Sequence, residues 1–115
     1  MKLMNAKYDQ DLTVTNESIN LTGMVTGNIH VGEDGYLQLH GMILGDITIS
    51  DRGIVKLHGM VDGSVNNLGG VLEVYGMVEG KVLHQGGRTT YYKGAVVDGK
   101  AIPTDRIVGA EIMDR

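Results

Sequence analysis

The sequence predicts an all-β fold, a small three-sided parallel β-solenoid of about five to six coils of 17 to 18 residues. An internal repeat is the first sign. Aligned on its x-Gly starts, the chain reads Leu21-Thr-Gly-Met-Val-Thr-Gly-Asn-Ile, Leu39-His-Gly-Met-Ile-Leu-Gly-Asp-Ile, Leu57-His-Gly-Met-Val-Asp-Gly-Ser-Val and Val74-Tyr-Gly-Met-Val-Glu-Gly-Lys-Val. These starts lie 18, 18 and 17 residues apart, and a fixed short period marks a stacked repeat architecture. Within a line, apolar residues alternate with others, a strand period rather than a helical one. Ile43, Ile47, Ile49, Val55 and Leu57 share one parity and form the expected inward set. Composition is the third sign: 18 glycines, one proline, no Phe and no Trp in 115 residues. A core without large aromatics is built from Val, Ile, Leu and Met, which suits thin repeated layers. Glycines recur at 23, 41, 59, 76 and 94, at 27, 45, 63, 80 and 99, and at 35, 53, 70 and 87, where each coil must turn. Successive coils stack at about 4.8 Å, and no coil buries its apolar face alone.

Residues 1–103 are expected to form one solenoid domain. Its first ten residues, MKLMNAKYDQ, are polar and are expected to fold over the first coil as an N-terminal cap. The repeats begin at about Asp11, whose stretch Asp11-Leu-Thr-Val-Thr mirrors Asp46-Ile-Thr-Ile-Ser. A fifth line, Tyr92-Lys-Gly-Ala-Val-Val-Asp-Gly, fits with one inserted residue, so repeats run to about Pro103. Residues 104–115 depart from the pattern and form a C-terminal capping segment or tail. Thr104 or Asp105 could cap a short helix there, with Ile107, Val108, Ile112 and Met113 as apolar members, and a strand is the other option.

The charge map is uneven. From Tyr8 to Asp51 there is no Lys or Arg, and seven acids: Asp9, Asp11, Glu17, Glu33, Asp34, Asp46 and Asp51. From Arg52 onward, eight bases meet seven acids, for a formal net charge of −4 overall. Such a field repels nucleic acid and favours a basic partner. The chain has no cysteine, so thiol chemistry and disulfides are excluded. The N-terminus has no apolar signal-type stretch, and no apolar run reaches the roughly 20 residues of a membrane span. The expectation is a cytoplasmic protein with no membrane partner.

Parity places an unusual stripe outside. With Leu39 and Ile43 inward, His40, Met42 and Leu44 point out, as do His58, Met60 and Asp62, and Tyr75, Met77 and Glu79. One side would then carry a Met ladder (24, 42, 60, 77) flanked by a Thr22/His40/His58/Tyr75/Lys93 ladder and a Thr26/Leu44/Asp62/Glu79 ladder. A glycine corner that shifts parity would instead turn the methionines inward as core filler. Exposed thioethers suit an adaptable partner surface. The candidate partner-binding set is therefore His40, Met42, Leu44, His58, Met60, Asp62, Tyr75, Met77 and Glu79, with Glu33, Asp34, Asp46 and Asp51 steering a basic partner.

Catalytic and cofactor chemistry find no support. His40 and His58 stack on adjacent rungs about 5 Å apart, but two ligands do not make a zinc site, and Asp62 lies about 13 Å beyond His58 along the strand. His30 and His84 occupy other sides. No nucleophile elbow, P-loop or dinucleotide-binding glycine pattern is present, and Glu33-Asp34 sits where a turn wants such residues. No catalytic residue, metal, cofactor or small-molecule substrate is expected, and no cleft.

The phrases Val25-Thr-Gly-Asn-Ile, Ile43-Leu-Gly-Asp-Ile and Val61-Asp-Gly-Ser-Val resemble the core of bactofilins, bacterial polymer-forming proteins with a β-helical core. The resemblance spans roughly Leu12 to Gly99 and implies a right-handed coil and end-to-end polymerisation. The line Gly69-Gly-Val-Leu-Glu-Val-Tyr-Gly-Met-Val-Glu-Gly-Lys-Val also resembles short bacterial solenoid proteins, some of which act as immunity proteins beside toxins. Two expectations follow: an acidic immunity-type inhibitor that neutralises a basic toxin such as a nuclease, or a bactofilin-like scaffold built by self-association.

Overall fold

The computed structural model describes residues 1–109. The chain winds through six rungs, each with up to three short strands. The first rung comprises β1 (Lys2–Met4), β2 (Lys7–Tyr8) and β3 (Leu12–Val14). The second has β4 (Ser18–Leu21), β5 (Met24–Val25) and β6 (Ile29–Val31), and the third β7 (Tyr36–Leu39), β8 (Met42–Ile43) and β9 (Ile47–Ile49). The fourth has β10 (Ile54–Leu57), β11 (Met60–Val61) and β12 (Val65–Asn67), and the fifth β13 (Val71–Val74), β14 (Met77–Val78) and β15 (Val82–His84). The sixth ends with β16 (Arg88–Tyr91) and β17 (Val96–Val97), followed by β18 (Lys100–Ala101) and β19 (Arg106–Val108). No helix occurs among the described residues. This is the three-sided parallel β-solenoid that the repeat predicts.

Equivalent strands pair in parallel from rung to rung to give three sheets of seven, seven and five strands. We call them A (containing β1 and β4), B (β2 and β5) and C (β3 and β6). Pairing follows the sequence period: Leu39 lies beside Leu21 and Leu57, and Ile43 beside Val25 and Val61. Inward ladders fill the interior, among them Leu21, Leu39, Leu57 and Val74 from sheet A, and Ile29, Ile47 and Val65 from sheet C. Each fully buried Leu, Ile or Val contributes about 1.5–3 kcal/mol, so the aliphatic ladders substitute for a conventional aromatic core.

The glycines between sheets A and B are required by space. A Cβ on Gly41, Gly59 or Gly76 would collide with the carbonyl oxygen of the equivalent glycine one rung earlier. At the corresponding corner of the first rung, Ala6 stands opposite Gly23.

The two ends are built differently. Residues 1–10 do lie over the second rung, but as a further parallel rung: Met4 pairs with Leu21, and Tyr8 with Val25. The C-terminal segment is a strand, with β19 antiparallel to β16, while β18 runs antiparallel to β17. Ile112 and Met113 lie outside the described residues. Among the described residues no helix is long and apolar enough to cross a membrane.

Candidate functional site

The three corners of the coil solve the same problem, turning the chain, with different chemistry. Between sheets A and B, a single glycine separates the outward residue of one strand from the outward residue of the next. His40-Gly41-Met42, His58-Gly59-Met60 and Tyr75-Gly76-Met77 therefore raise two walls over a glycine floor. The result is an open groove of about 500 Å³ along the solenoid, lined by His40, Met42, His58, Met60, Tyr75 and Met77, among others. No cleft is expected from the sequence; the groove arises because the corner glycine carries no side chain between the ring wall and the methionine wall.

Sheet B fixes the methionine wall. Met24, Met42, Met60 and Met77 are in register, while Val25, Ile43, Val61 and Val78 on the opposite parity are fully buried. The methionines are half-buried and outward, so the corner does not flip parity. The other wall is a continuous ring stack. His40 and His58 stack at 4.8 Å with 2° between planes, His58 and Tyr75 at 4.3 Å, and Tyr75 and Tyr92 at 4.2 Å. Tyr92, rather than Lys93, completes this wall. Tyr91 pairs with Val74, which puts Tyr92 level with Tyr75, and the extra residues Gly94-Ala95 bulge at the corner before Val96 meets Met77.

Packing in the stack shapes its titration. Partial burial, then His40 and then Lys56, hold the His58 imidazole below its ordinary value, against a smaller pull from Glu73. Tyr75 lies beside the Tyr92 phenol and donates to the Glu73 carboxylate at 2.8 Å, and these with burial raise its phenol well above the usual range. Both groups are thus neutral near pH 7.

The rim beyond the methionines carries Leu44, 40% exposed, with Asp62 and Glu79, both exposed. Among the described residues neither acid is in an ion pair. The other predicted acids lie at different corners. Asp46 sits between sheets B and C, where side chains cap the backbone of the following rung. Asp11 Oδ1 accepts from the Asn28 N–H, Asn28 Oδ1 from Asp46, Asp46 Oδ1 from Ser64, each at 2.8 Å, and Ser64 Oγ from Lys81 at 3.0 Å. This file of acceptors holds the fold and escaped the sequence reading; its signal was a small polar residue after the glycine at 28, 46 and 64.

Glu33 and Asp34 occupy the third corner, between sheets C and A, with Asp34 at φ 55°. Both bind Arg52 of the next rung, at 2.7 and 3.1 Å, so part of their charge is answered within the molecule. Asp51 belongs to the same corner and leans over Gly69. None of Glu33, Asp34, Asp46 and Asp51 lines the groove. His30 bonds Ser50 at 2.6 Å on the outside of sheet C, and His84 bonds Thr89 at 2.9 Å. Among the described residues no three His, Cys, Asp or Glu side chains converge as metal ligands.

Comparison with known proteins leaves this geometry to speak for itself: no family model matches the chain, and no curated protein or solved structure matches it.

Proposed function

We propose that this chain is a non-catalytic binding protein that docks a partner protein in the groove, and that it is an acidic immunity-type inhibitor of a basic toxin such as a nuclease. One observation carries the reading: a groove with a methionine wall, an aromatic wall and, on its rim, the carboxylates of Asp62 and Glu79 free of ion pairs among the described residues. Thioethers repack around varied side chains, and aromatic rings supply contact area at low entropic cost. Burying each methionine against a partner contributes roughly 1.5–3 kcal/mol. The rim acids and the net charge of −4 would speed encounter with a basic surface. Glu33 and Asp34 pair with Arg52, and Asp46 accepts the Ser64 N–H, so in this reading the rim acids lead the steering.

The test couples folding to protection. Met42→Asp with Met60→Asp should keep the β-type circular dichroism and the monodisperse mass of the wild type. This reading expects a toxin gene adjacent to this one, and the same variant should fail to protect cells from that toxin and fail to co-elute with it. Undiminished protection by the folded variant, or its unfolding, would sink this reading.

A second reading, a bactofilin-like scaffold, is favoured by the N-terminal rung, where β1, β2 and β3 keep coil register and, among the described residues, stand at the edges of their sheets. Light scattering behind size exclusion, with negative-stain images, separates the two. A fixed small mass excludes the polymer; an open-ended mass distribution or filaments excludes the discrete inhibitor.

A further inference from the structure

We propose that the groove receives long basic side chains, lysine or arginine, from the surface of a protein partner. Their aliphatic stems lie on Met60 and Met77, and their charged ends meet Asp62 and Glu79. Such an occupant presupposes the docking reading and gives the docked surface its chemistry. The glycine floor decides how anything can be held. Gly41 donates its N–H to Leu21 O at 2.9 Å, and its carbonyl accepts from the Met60 N–H at 3.0 Å. Gly59 does the same with Leu39 and Met77, at 2.8 and 3.0 Å, and Gly76 with Leu57 and Val96, at 2.9 and 3.0 Å. These backbone groups are engaged with neighbouring rungs, so an incoming chain cannot join the floor as an added strand. Side chains enter instead, and the partner's own backbone stays outside.

Walls and rim then select the side chain. The ring faces cover one another, the methionines offer apolar contact, and no Lys or Arg is among the lining residues. Beyond two of the methionines stands a carboxylate: Asp62 follows Met60 by two residues, and Glu79 follows Met77 by two. Val61 and Val78 between them are buried and in register, so thioether and carboxylate share the outer face about 7 Å apart on each rung. Glu33 and Asp34 are answered by Arg52, whereas Asp62 and Glu79 are in no ion pair among the described residues. The matching group is an apolar stem several carbons long that ends in a positive charge, and lysine and arginine have both. One rung earlier, Leu44 holds the same place after Met42 and is 40% exposed. The partner surface is thus apolar over the third rung and basic over the fourth and fifth.

The probe is a random library of linear peptides displayed on phage and panned against the whole chain. Enriched peptides should carry lysine or arginine, and their addition should move the Met60 and Met77 methyl signals in NMR spectra while Met4 stays in place. Norleucine in place of the basic residue keeps the stem and should weaken binding about tenfold. Asp62→Asn with Glu79→Gln, both at exposed positions, should weaken it about as much and remove its salt dependence. Insertion is refuted if the enriched peptides lack basic residues, if Met60 and Met77 stay still, or if the double variant keeps both affinity and salt dependence. A wild type that protects cells yet selects no basic peptide overturns this occupant and leaves the inhibitor standing. Basic peptides seated in the groove of a chain that protects no cell do the reverse.

Discussion

At the N-terminal end the outermost layer is still a coil. β1, β2 and β3 run parallel to their neighbours, and the inward positions are held by Lys2, Met4, Tyr8, Leu12 and Val14. Lys2 occupies the parity of Ile19 but stays exposed, and an inward charge on an edge strand discourages further pairing. At the C-terminal end the chain itself changes direction. β18 and β19 pair antiparallel, and the core turns polar first: the ladder Val14, Val31, Ile49 continues as Asn67 and His84, and the ladder Ile19, Leu37, Val55, Leu72 ends in Thr89. Arg106 then covers Tyr91, its guanidinium 4.9 Å from the ring centre. One end is thus stopped by a side chain and the other by backbone direction and core polarity. The second device is the sturdier, since a single substitution could undo the first.

Paired truncations measure that difference most directly. Tyr91 is 7% exposed, and Tyr91→Ala should cost about 3–5 kcal/mol in urea unfolding, as for other buried aromatics. Tyr8→Ala, at the half-buried opposite end, should cost clearly less. Equal losses would mean that the N-terminal rung is as firmly built as the C-terminal closure.

A smaller effect concerns how the polar core is satisfied. The buried Asn67 side chain accepts the Gly70 N–H at 2.9 Å and donates toward Gly70 O, Arg88 O and Thr89 Oγ1 at 3.2, 3.1 and 3.1 Å. Asn67→Ala strands these groups and should cost about 1–3 kcal/mol. Asn67→Val restores the ladder shape but not the hydrogen bonds. If it matched the wild type in urea midpoint, the polar ending would carry no stability.

The least effect lies midway between the ends, in the ring stack. The His58 imidazole is held below its ordinary 6.5 by burial, His40 and Lys56. Unfolded chains therefore take up a proton near pH 6.5 while folded ones resist it. Stability is full above that pH and falls as pH drops from 6.5 toward the lowered value. Thermal midpoints across this window should decline less in His58→Phe than in the wild type; parallel declines would assign the loss to other groups.

The sequence period made the coil count, the inward ladders and the outward methionine stripe legible, because a parallel stack copies chain spacing directly into register. It failed at the first rung. There the corner opposite Gly23 carries Ala6 in place of a glycine, so that rung lacks the glycine signature and reads as a polar cap. It failed again at Gly94-Ala95, where a bulged corner shifts the alignment and hides Tyr92 behind Lys93. The acids show a different limit. Charge is visible in a sequence, but whether Asp46 faces solvent or a backbone N–H depends on which corner holds it.

The file of acceptors from Asp11 through Asn28 and Asp46 to Ser64 has a consequence for how such a protein can change in length. Each member serves the rung after it and is served by the rung before, so the natural unit of insertion or deletion is one whole coil. Loss of a single residue within a strand would turn the rest of that strand inside out, whereas the corner before Val71 absorbs the one residue by which that coil is shorter. Duplicating residues 39–56, by contrast, would keep the file in step and add one more His-Gly step to the groove wall. A lineage built on this plan would grow or shrink as a ruler does, by graduations.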